Sequence, residues 1–401
     1  MPGAGSGWRS MRAPPLMLEG WIAVHALLTF VTLVVEALVG YPAWLNALIP
    51  HPVVWAGTAI NALERRWNKP QYSFNRRRLF GWGAVVLVTG AAVLLGAALE
   101  TGALLVHVFY EMGGRFIAAV MSEVQVAVHT VGIESAPTPV VTDNPYGLPV
   151  VPDNPYGSSD VWGSPWPGII TLLVLALVAS TGLAQKSLFV HVRNVLTALR
   201  ARDLSTARER VSLIVGRDTR QLDESGVSAA ALESLAESFN DGIVAPAFWL
   251  LVGGLPGLFA YKVLNTADSL IGHKEERWRA FGWAAARADD VANLIPARIA
   301  GTLLAIAGRG GFGVMFKDAS KHASPNAGWP EAAMAGALGV RLGGPTSYDG
   351  VVHERPVFGS GERPGWVDLR RGLRIYVVAC LLLWVLVAAP IGYLLLRALW
   401  H

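Results

Sequence analysis

Long apolar runs constrain this chain more than any other sequence feature. Four stretches reach or approach the length of about 20 apolar residues that a helix needs to cross a bilayer. They are residues 21–39, 82–108, 166–183 and 375–396. Hydrophobic residues make up 53% of the 401-residue chain and charged residues only 15%, whereas soluble domains average about 25% charged. The sequence therefore predicts an all-α, polytopic integral membrane protein embedded in a lipid bilayer, with about four full spans.

Two further apolar stretches are broken or short. Residues 243–263 are interrupted by Pro246, Gly253, Gly254 and Pro256, and residues 294–307 are few for a span. Irregular backbone is tolerated at membrane depth only when protein or a cavity surrounds it. We therefore predict that both stretches are re-entrant or cavity-lining helices. The whole chain, 1–401, is expected to form one membrane-embedded domain.

The distribution of Lys and Arg predicts the orientation of the spans. Basic residues cluster between the first two spans, after the third, and before the fourth, and positive loops face the cytoplasm. This places a catalytic motif region, residues 184–374, on the cytoplasmic side and a Pro-rich loop, residues 133–165, outside. No basic run with interleaved aromatic residues occurs, so no nucleic-acid partner is expected. The single cysteine, Cys380, excludes a disulfide framework or a cysteine-based zinc site.

Polar residues that could take part in catalysis or binding gather in three segments. In the first, a helical wheel over residues 227–241 puts Glu233, Glu237, Asn240 and Asp241 on one face. Such clustered carboxylates repel one another unless a cation such as Mg²⁺ compensates them. A solvated acidic face is the alternative interpretation. That alternative is the favoured one on spacing alone.

The second segment carries Asn265, Asp268, Lys274 and the run from Arg287 to Asn293. Asp289 and Asn293 share a helical face, while Arg287 and Asp290 could form a simple surface ion pair of little energetic value. Apolar flanks on both sides favour burial near the bilayer, where ionisable groups are usually functional. The third segment contains a turn from Lys321 to Asn326, in which a lone histidine is usually structural.

Several motifs in these segments resemble one known family. They are His51-Pro-Val53, Val215-Gly-Arg-Asp-Thr219, Asp241-Gly-Ile-Val-Ala-Pro246, Asn265-Thr-Ala-Asp-Ser269, Arg287-Ala-Asp-Asp-Val-Ala-Asn293, Ser324-Pro-Asn326 and Gly343-Gly-Pro345. Over residues 40–350 the sequence resembles the CobD/CbiB family of adenosylcobinamide-phosphate synthases. The chain departs from that family at Gly40-Tyr-Pro42, where the family has Gly-Asp-Pro, and at Ser238, where it has Asn.

The resemblance implies an ATP-dependent ligase of cobalamin biosynthesis in the bacterial inner membrane, with its active site facing the cytoplasm. It would join the adenosylated corrinoid adenosylcobyric acid to aminopropanol, its O-phosphate or ethanolamine phosphate. ATP would be the co-substrate and Mg²⁺ the cofactor, and other late corrinoid-pathway enzymes are expected partners. A carboxylate is a poor acylating agent, and phosphorylating it first supplies a good leaving group.

Residue roles follow from the resemblance as hypotheses. The predicted catalytic residues are Glu233, Glu237, Asp241, Asp268 and Asp290. The predicted metal ligands are Asp218, Glu237, Asp241, Asp289 and Asp290. The predicted substrate- and phosphate-binding residues are Arg217, Asn240, Lys262, Asn265, Lys274, Arg287, Asn293, Arg298 and Asn326.

Two other functions remain open at this point. Broken helices with carboxylates at membrane depth also suit a transporter, and a non-catalytic sensor or scaffold could share the same fold. The enzyme hypothesis depends on one spatial expectation. Glu237, Asp268 and Asp290, which are far apart in sequence, must meet in one pocket.

Overall fold

The computed structural model describes residues 15–41, 51–131, 166–348 and 351–400. The predicted Pro-rich loop, 133–165, lies outside the described residues. The chain divides into two units. The first comprises residues 1–98 and 176–401, and the second, residues 99–175, is helical wherever it is described.

Helices account for nearly all the described secondary structure. They are α1 (Pro15–Val39), α2 (Pro52–Trp67), α3 (Phe74–Val131), α4 (Trp166–Ser180), α5 (Gln185–Arg200), α6 (Leu204–Ser212), α7 (Glu224–Phe239), α8 (Ala245–Ile271), α9 (Glu276–Arg279), α10 (Trp283–Ala292), α11 (Leu294–Ala307), α12 (Phe312–Asp318), α13 (Gly328–Leu338) and α14 (Trp366–Leu399). A π-helical turn, Asn240–Val244, joins α7 to α8.

Four short strands form two antiparallel pairs between α13 and α14. Strand β1 (Leu342–Gly343) pairs with β4 (Val357–Phe358), and Leu342 lies opposite Phe358. Strand β2 (Thr346–Tyr348) pairs with β3 (Val351–His353).

Among the described residues, four helical segments are long and apolar enough to cross a membrane: Gly20–Val39, Phe74–Tyr110, Glu224–Ile271 and Trp366–Arg397. Three of them coincide with the predicted first, second and fourth spans. Their side chains include large exposed apolar groups such as Leu94, which is 70% exposed, and Leu395, which is 61% exposed. Outward apolar faces of this kind are suited to contact with lipid. The prediction of several membrane-compatible helices in an all-α chain is therefore confirmed.

The predicted third span differs from the structure. Helix α4 has 15 residues, which is about 22 Å of helix against about 30 Å of bilayer core. The apolar path continues into α5 only after a bend of 43°. Buried Glu36 of α1 accepts hydrogen bonds from the backbone N–H groups of Gln185 (2.9 Å) and Lys186 (3.2 Å). A carboxylate from another helix thus caps the start of α5 and fixes the bend.

The broken stretch 243–263 folds back on itself. Gly254 adopts φ 60° and ψ −154° inside α8, a conformation open to glycine but not to residues with a Cβ. The Asn265 amide lies 3.4 Å from an Asp241 carboxylate oxygen, although 24 residues of straight helix would separate them by about 36 Å. The segment from Glu224 to Ile271 is therefore a helical hairpin, as the glycines and prolines predict, and not one straight span.

The chain also reverses its direction after the short stretch 294–307. Helix α11 lies at 50° to α10 and ends at Ala307, which Gly308 follows. After a left-handed glycine, Gly311 (φ 98°), α12 leads the chain back. Arg298 near the start of α11 consequently donates a hydrogen bond to Asn326 at 3.2 Å. The polar residues at the ends of both stretches, 243–263 and 294–307, thus lie in the same part of the first unit.

Helix α7 lies at the centre of the largest apolar core. Leu232, Leu235 and Phe239 are fully buried, and so are most of its alanines. Small residues allow α13 and α14 to approach closely, and a Cβ at Gly372 would lie 2.3 Å from the Leu232 side chain. The rigid packing of this helix positions its acidic face for the site described next.

Candidate functional site

A pocket of about 400 Å³ lies where α7, α8, α10 and the turn before α13 meet. Ten of the predicted site residues line it: Glu237, Asn240, Asp241, Asp268, Lys274, Arg287, Asp289, Asp290, Asn293 and Asn326. Glu237, Asp268 and Asp290 all belong to this group. The three carboxylates that were expected to meet therefore do so. We call this the main pocket.

The π-helical turn presents Asp241 to the main pocket. Its wider backbone turn breaks the regular helix at Asn240, as π-helical turns at functional sites often do. The Asn240 amide donates to Asp241 Oδ1 at 2.7 Å and to Asn293 Oδ1 at 2.8 Å. The Tyr261 hydroxyl donates to the same Asn293 oxygen at 3.1 Å. These bonds join both arms of the folded-back segment to α10 and hold the Asp241 carboxylate in place.

Asp289 lies beside Asp241. The Asn293 amide, one helical turn further on, donates to Asp289 Oδ2 at 3.0 Å. The Asn265 amide nitrogen lies 3.4 Å from both Asp241 Oδ2 and Asp289 Oδ1. One amide thus bridges two carboxylates from different helices. The Asp241 and Asp289 carboxylates repel each other unless they share a proton or a cation.

Asp268 lies in the last turn of α8, which ends at Ile271 and is followed by Gly272. A Cβ at Gly272 would lie 1.9 Å from Asp268 Oδ1, so only glycine leaves room for this carboxylate. Asp268 accepts no side-chain hydrogen bond from any residue in the described ranges. It therefore faces the main pocket with its oxygens available.

Asp290 and Arg287 form an ion pair of 3.0 Å, as their spacing predicts. The pair lines the main pocket, but Arg287 is 60% exposed, so it adds little to stability. The Asn326 amide donates to the Asp290 backbone oxygen at 2.7 Å. Arg298 donates a hydrogen bond to the Asn326 side chain and does not itself line the main pocket.

Glu233 and Arg217 lie outside the main pocket, in a buried ionic network. Arg217 contacts Glu233 directly, Arg355 lies 3.1 Å from the same carboxylate, and the Gly343 N–H donates to it at 2.8 Å. Glu233 is only 4% exposed at its side chain. The network attaches the strand segment after α13 to α7, and we call it the Glu233 network.

Glu331 belongs to the same network. It is fully buried on α13, 3.6 Å from Arg355, and neither carboxylate oxygen has a hydrogen-bond partner among the described residues. Burial raises the pKa of Glu331 well above its usual range, and the charges of Glu237 and Glu233 raise it further, while Arg355 opposes them. Glu331 is therefore favoured in its neutral form.

His322 connects the Glu233 network to the main pocket, which it lines. Its Nδ1 accepts a hydrogen bond from the Ser324 N–H at 2.9 Å, and its Nε2 lies 3.7 Å from Glu331 Oε1. Burial lowers the pKa of His322, and the nearby positive charge of Arg355 lowers it further. The imidazole is thus favoured in its neutral form beside the pocket wall.

Two other predicted residues lie elsewhere. Asp218 pairs with Arg220 at 2.7 Å on the surface, and hydrogen bonds from Arg220 lower the pKa of Asp218 to about 2. Lys262 lines a different pocket, together with Asn265, His191 and Ser238. The structure does not bring either residue to the main pocket.

Several residues that line the main pocket were not predicted from the sequence: His273, Arg279, Trp283, His322 and Ser324. A signal existed for His322, because it opens the Ser-Pro-Asn turn that was already recognised. Glu331 was also detectable as the one charge in the small and apolar sequence of α13. Arg355 had no local signal, since it contacts Glu233 from 122 residues away.

The donor atoms of the main pocket are those that Mg²⁺ prefers, namely carboxylate and amide oxygens. Within the described ranges, no three His, Cys, Asp or Glu side chains come together closely enough to hold a metal ion. Mg²⁺ is commonly held by one or two carboxylates together with substrate phosphates. The residues of the main pocket fit this mode of binding, in which substrate phosphates complete the coordination of the ion.

Comparison with known proteins gives one consistent family. The family model described as CobD/Cbib protein matches residues 29–137 and 158–376. A cobalamin biosynthesis protein CobD of Rhodobacter capsulatus is 39% identical over 88% of this chain and 92% of its own length. One from a Sinorhizobium species is 40% identical over 88% and 94%. One from Brucella suis is 54% identical over 50% and 64%. No solved structure matches the chain.

Proposed function

The chain belongs to the CobD/Cbib protein family, and from that premise we propose that it is a membrane enzyme of cobalamin biosynthesis. The proposed reaction joins the free propionate of adenosylcobyric acid to the amine of aminopropanol, of its O-phosphate or of ethanolamine phosphate. ATP is consumed in this reaction. The proposed enzyme class is thus a C–N ligase.

One observation carries the proposal. Carboxylates from three separate segments, Asp241, Asp268 and Asp289, converge in one pocket together with the cations Lys274 and Arg287. Amide formation from a carboxylate requires phosphate groups to be held and neutralised, and an ammonium nucleophile to be deprotonated. Cations serve the first need and carboxylates the second.

Asp241 and Asp289 are the residues that would hold Mg²⁺, because one Asn265 amide already brings them together. When bound, Mg²⁺ would neutralise charge on the phosphates of ATP. Lys274, Arg279 and Arg287, which also line the main pocket, would hold phosphate oxygens. Asn240, Asn293 and Tyr261 keep Asp241 oriented while this charge accumulates.

Asp268 is the proposed general base. Its oxygens face the main pocket, and Gly272 leaves them space. The ammonium form of the amine must lose a proton before its nitrogen can attack the activated propionate. Asp290 is tied to Arg287 and lies at the same pocket, so we assign it to holding that arginine in place.

The orientation of the protein is proposed from its basic loops. Arg65, Arg66, Arg76 to Arg78 and Arg370 to Arg374 flank the candidate spans on what would be one side. The main pocket would then open to the cytoplasm of a bacterial cell, where ATP is available. Cysteine labelling of an Arg202→Cys variant from inside and outside spheroplasts tests the orientation.

The function is tested with purified protein in lipid nanodiscs. Adenosylcobyric acid, MgATP and each candidate amine are supplied, and the amide product is identified by mass spectrometry. We expect ATP-dependent product from wild type and from Arg220→Gln, a surface control, but at least about 100-fold slower formation by Asp289→Asn. Product without ATP, or normal turnover of Asp289→Asn, contradicts the proposal. Accumulation of a corrinoid in proteoliposomes without any chemistry would favour a transporter.

A further inference from the structure

A basic and aromatic surface lies at the start of α3. Six basic residues and no acidic one occur between Arg65 and Trp82. The start of α3 is also the start of the candidate span Phe74–Tyr110. Exposed apolar side chains follow at once, with Leu79 68% and Val86 63% exposed. Positive charge thus meets the outward apolar face of a candidate span within about two helical turns.

The start of α3 is held firmly against the segment that contains α9 and α10. The Arg77 Nε donates to Asn68 Oδ1 at 2.6 Å, and the same guanidinium donates to the backbone oxygen of Arg277. The two segments also pack backbone to backbone, because a Cβ at Gly81 would lie 1.9 Å from the Phe281 backbone oxygen. Arg77 is therefore committed to the fold, and the side chains beside it stand on a closely packed frame.

One face of α3 interleaves with that segment. Phe74, Arg78 and Trp82 are spaced four residues apart, so they share this face. The Arg78 guanidinium lies over the Trp283 ring, 3.5 Å from its centre. The Arg279 guanidinium lies 5.6 Å from the centre of the Phe74 ring. The Trp82 and Trp283 rings are 6.1 Å apart. Two cations and three aromatic rings thus form one group, which we call the Arg78 cluster.

The two guanidinium groups of the Arg78 cluster have no carboxylate partner within the described ranges. Arg279 is exposed and Arg78 is half-buried. A guanidinium that lies over an aromatic ring uses its face for that contact, so its in-plane N–H donors stay available. The rings carry no net charge that would neutralise the cations. The Arg78 cluster therefore offers positive charge and directed donors, which together suit a phosphate group.

The position of the Arg78 cluster indicates which kind of phosphate it suits. Trp82 is 43% exposed and lies one helical turn further along the candidate span than Arg78. Tryptophan is enriched at the level where lipid headgroups meet acyl chains. Val86, one turn further again, is exposed and apolar. A soluble phosphate would contact only the cations, whereas a phospholipid would contact the cations and the apolar side chains together.

We propose that the Arg78 cluster binds an anionic phospholipid, with the lipid phosphate at Arg78 and an acyl chain along Trp82 and Val86. Arg279 adds positive charge beside the phosphate. A cation close to the membrane surface favours an anionic over a neutral lipid by about fivefold. Arg279 and Trp283 also line the main pocket, so the bound headgroup lies next to the wall of that pocket.

Native mass spectrometry of the full chain tests the proposal. Protein purified in detergent is mixed with equal amounts of phosphatidylglycerol and phosphatidylcholine, and the lipids that stay bound are counted. We expect phosphatidylglycerol to be retained at least about fivefold more than phosphatidylcholine. An equal concentration of sn-glycerol 3-phosphate should leave this ratio within about twofold, because it lacks the acyl chains. Equal retention of the two lipids, or displacement by the soluble phosphate, overturns the proposal.

Arginine variants assign the lipid to the Arg78 cluster. Arg78→Gln should lower the retention ratio about fivefold, and Arg78→Lys should keep most of it because the charge remains. Arg210→Gln is the matched control, since Arg210 is an exposed arginine of α6 outside the candidate spans. It should leave the ratio within about twofold.

A second variant keeps the test valid if Arg78→Gln is poorly folded, which its unfolding temperature would show. Arg279→Gln removes the neighbouring charge and should lower the retention ratio about twofold to fivefold. An unchanged ratio in both Arg78→Gln and Arg279→Gln overturns the proposal. An equal loss in Arg210→Gln also overturns it, because the preference would then come from net charge and not from this cluster.

The binding measurement needs neither ATP nor a corrinoid, so it is independent of the proposed reaction. A lipid preference that follows Arg78 without any amide formation supports the lipid site and not the ligase function. Amide formation by a protein without a lipid preference supports the ligase function and not the lipid site.

Discussion

Glu233 and Glu237 occupy the same face of α7, one helical turn apart, yet their surroundings differ completely. Glu233 is 4% exposed and contacts Arg217, Arg355 and a backbone N–H. Glu237 is exposed, and it lines the main pocket. The first carboxylate is committed to holding protein segments together, and the second is open to a ligand. An acidic helical face therefore need not have one role along its length.

Removing the Glu233 carboxylate is expected to have the largest effect, and that effect is on stability. Glu233→Ala removes the carboxylate that two arginines contact, and breaking a buried ion pair costs about 3–5 kcal/mol. We expect the free energy of unfolding in detergent, measured by denaturant titration, to fall by about that amount. Glu237→Gln is the matched control and should change it by less than about 1 kcal/mol. Equal destabilisation by the two variants would mean that both carboxylates are structural.

The next effect is on catalysis at the main pocket. Asp289→Asn keeps the size of the side chain but removes the charge next to Asp241. We expect amide formation to fall at least about 100-fold, as is typical when charge complementary to a phosphoryl group is lost. The thermal unfolding temperature should stay close to that of wild type. A stable and fully active Asp289→Asn protein would remove this carboxylate from the proposed mechanism.

A smaller effect concerns pH and Glu331. Burial raises the pKa of Glu331 in the folded state, so the folded protein holds this proton to higher pH than the unfolded chain does. Its stabilising contribution is complete below the unfolded pKa and is lost as pH rises toward the folded one, at up to about 1.4 kcal/mol per pH unit. Stability should therefore fall with rising pH through this window.

Glu331→Gln should flatten that fall, because the neutral amide does not titrate. The groups that face Glu331 are His322, Arg355, Arg217, Glu233 and Glu237, and all remain in the variant. Unfolding temperatures of both proteins between about pH 5 and about pH 9 provide the measurement. Parallel curves for the variant and wild type would show that Glu331 titrates normally.

The smallest expected effect is at Asp218. Its ion pair with Arg220 is exposed and lies away from the main pocket, and such pairs contribute little. Asp218→Asn should therefore leave turnover and unfolding temperature unchanged within error. Loss of activity that added Mg²⁺ restores would instead support the metal-ligand role predicted from the sequence.

The candidate site could be predicted in large part, because its residues lie in short segments with strong local character. The run from Arg287 to Asn293 shows its carboxylates and its amide at helical spacing, and the structure places them so. The ionic contacts of Arg355 could not be predicted, since its partners are distant in sequence and its own segment has no periodic pattern. The bend between α4 and α5 was also missed, because its cause is Glu36 from another helix.

The sequence by itself determined that the chain forms apolar helices, where two of them break, and which residues share a helical face. Those properties follow from local hydropathy, from the backbone limits of glycine and proline, and from the 3.6-residue period. Only the tertiary structure decided what covers each face. It enclosed Glu233 among arginines, left Glu237 open, and set Asp241 beside Asp289. Contacts between distant segments make those choices, and no local pattern encodes them.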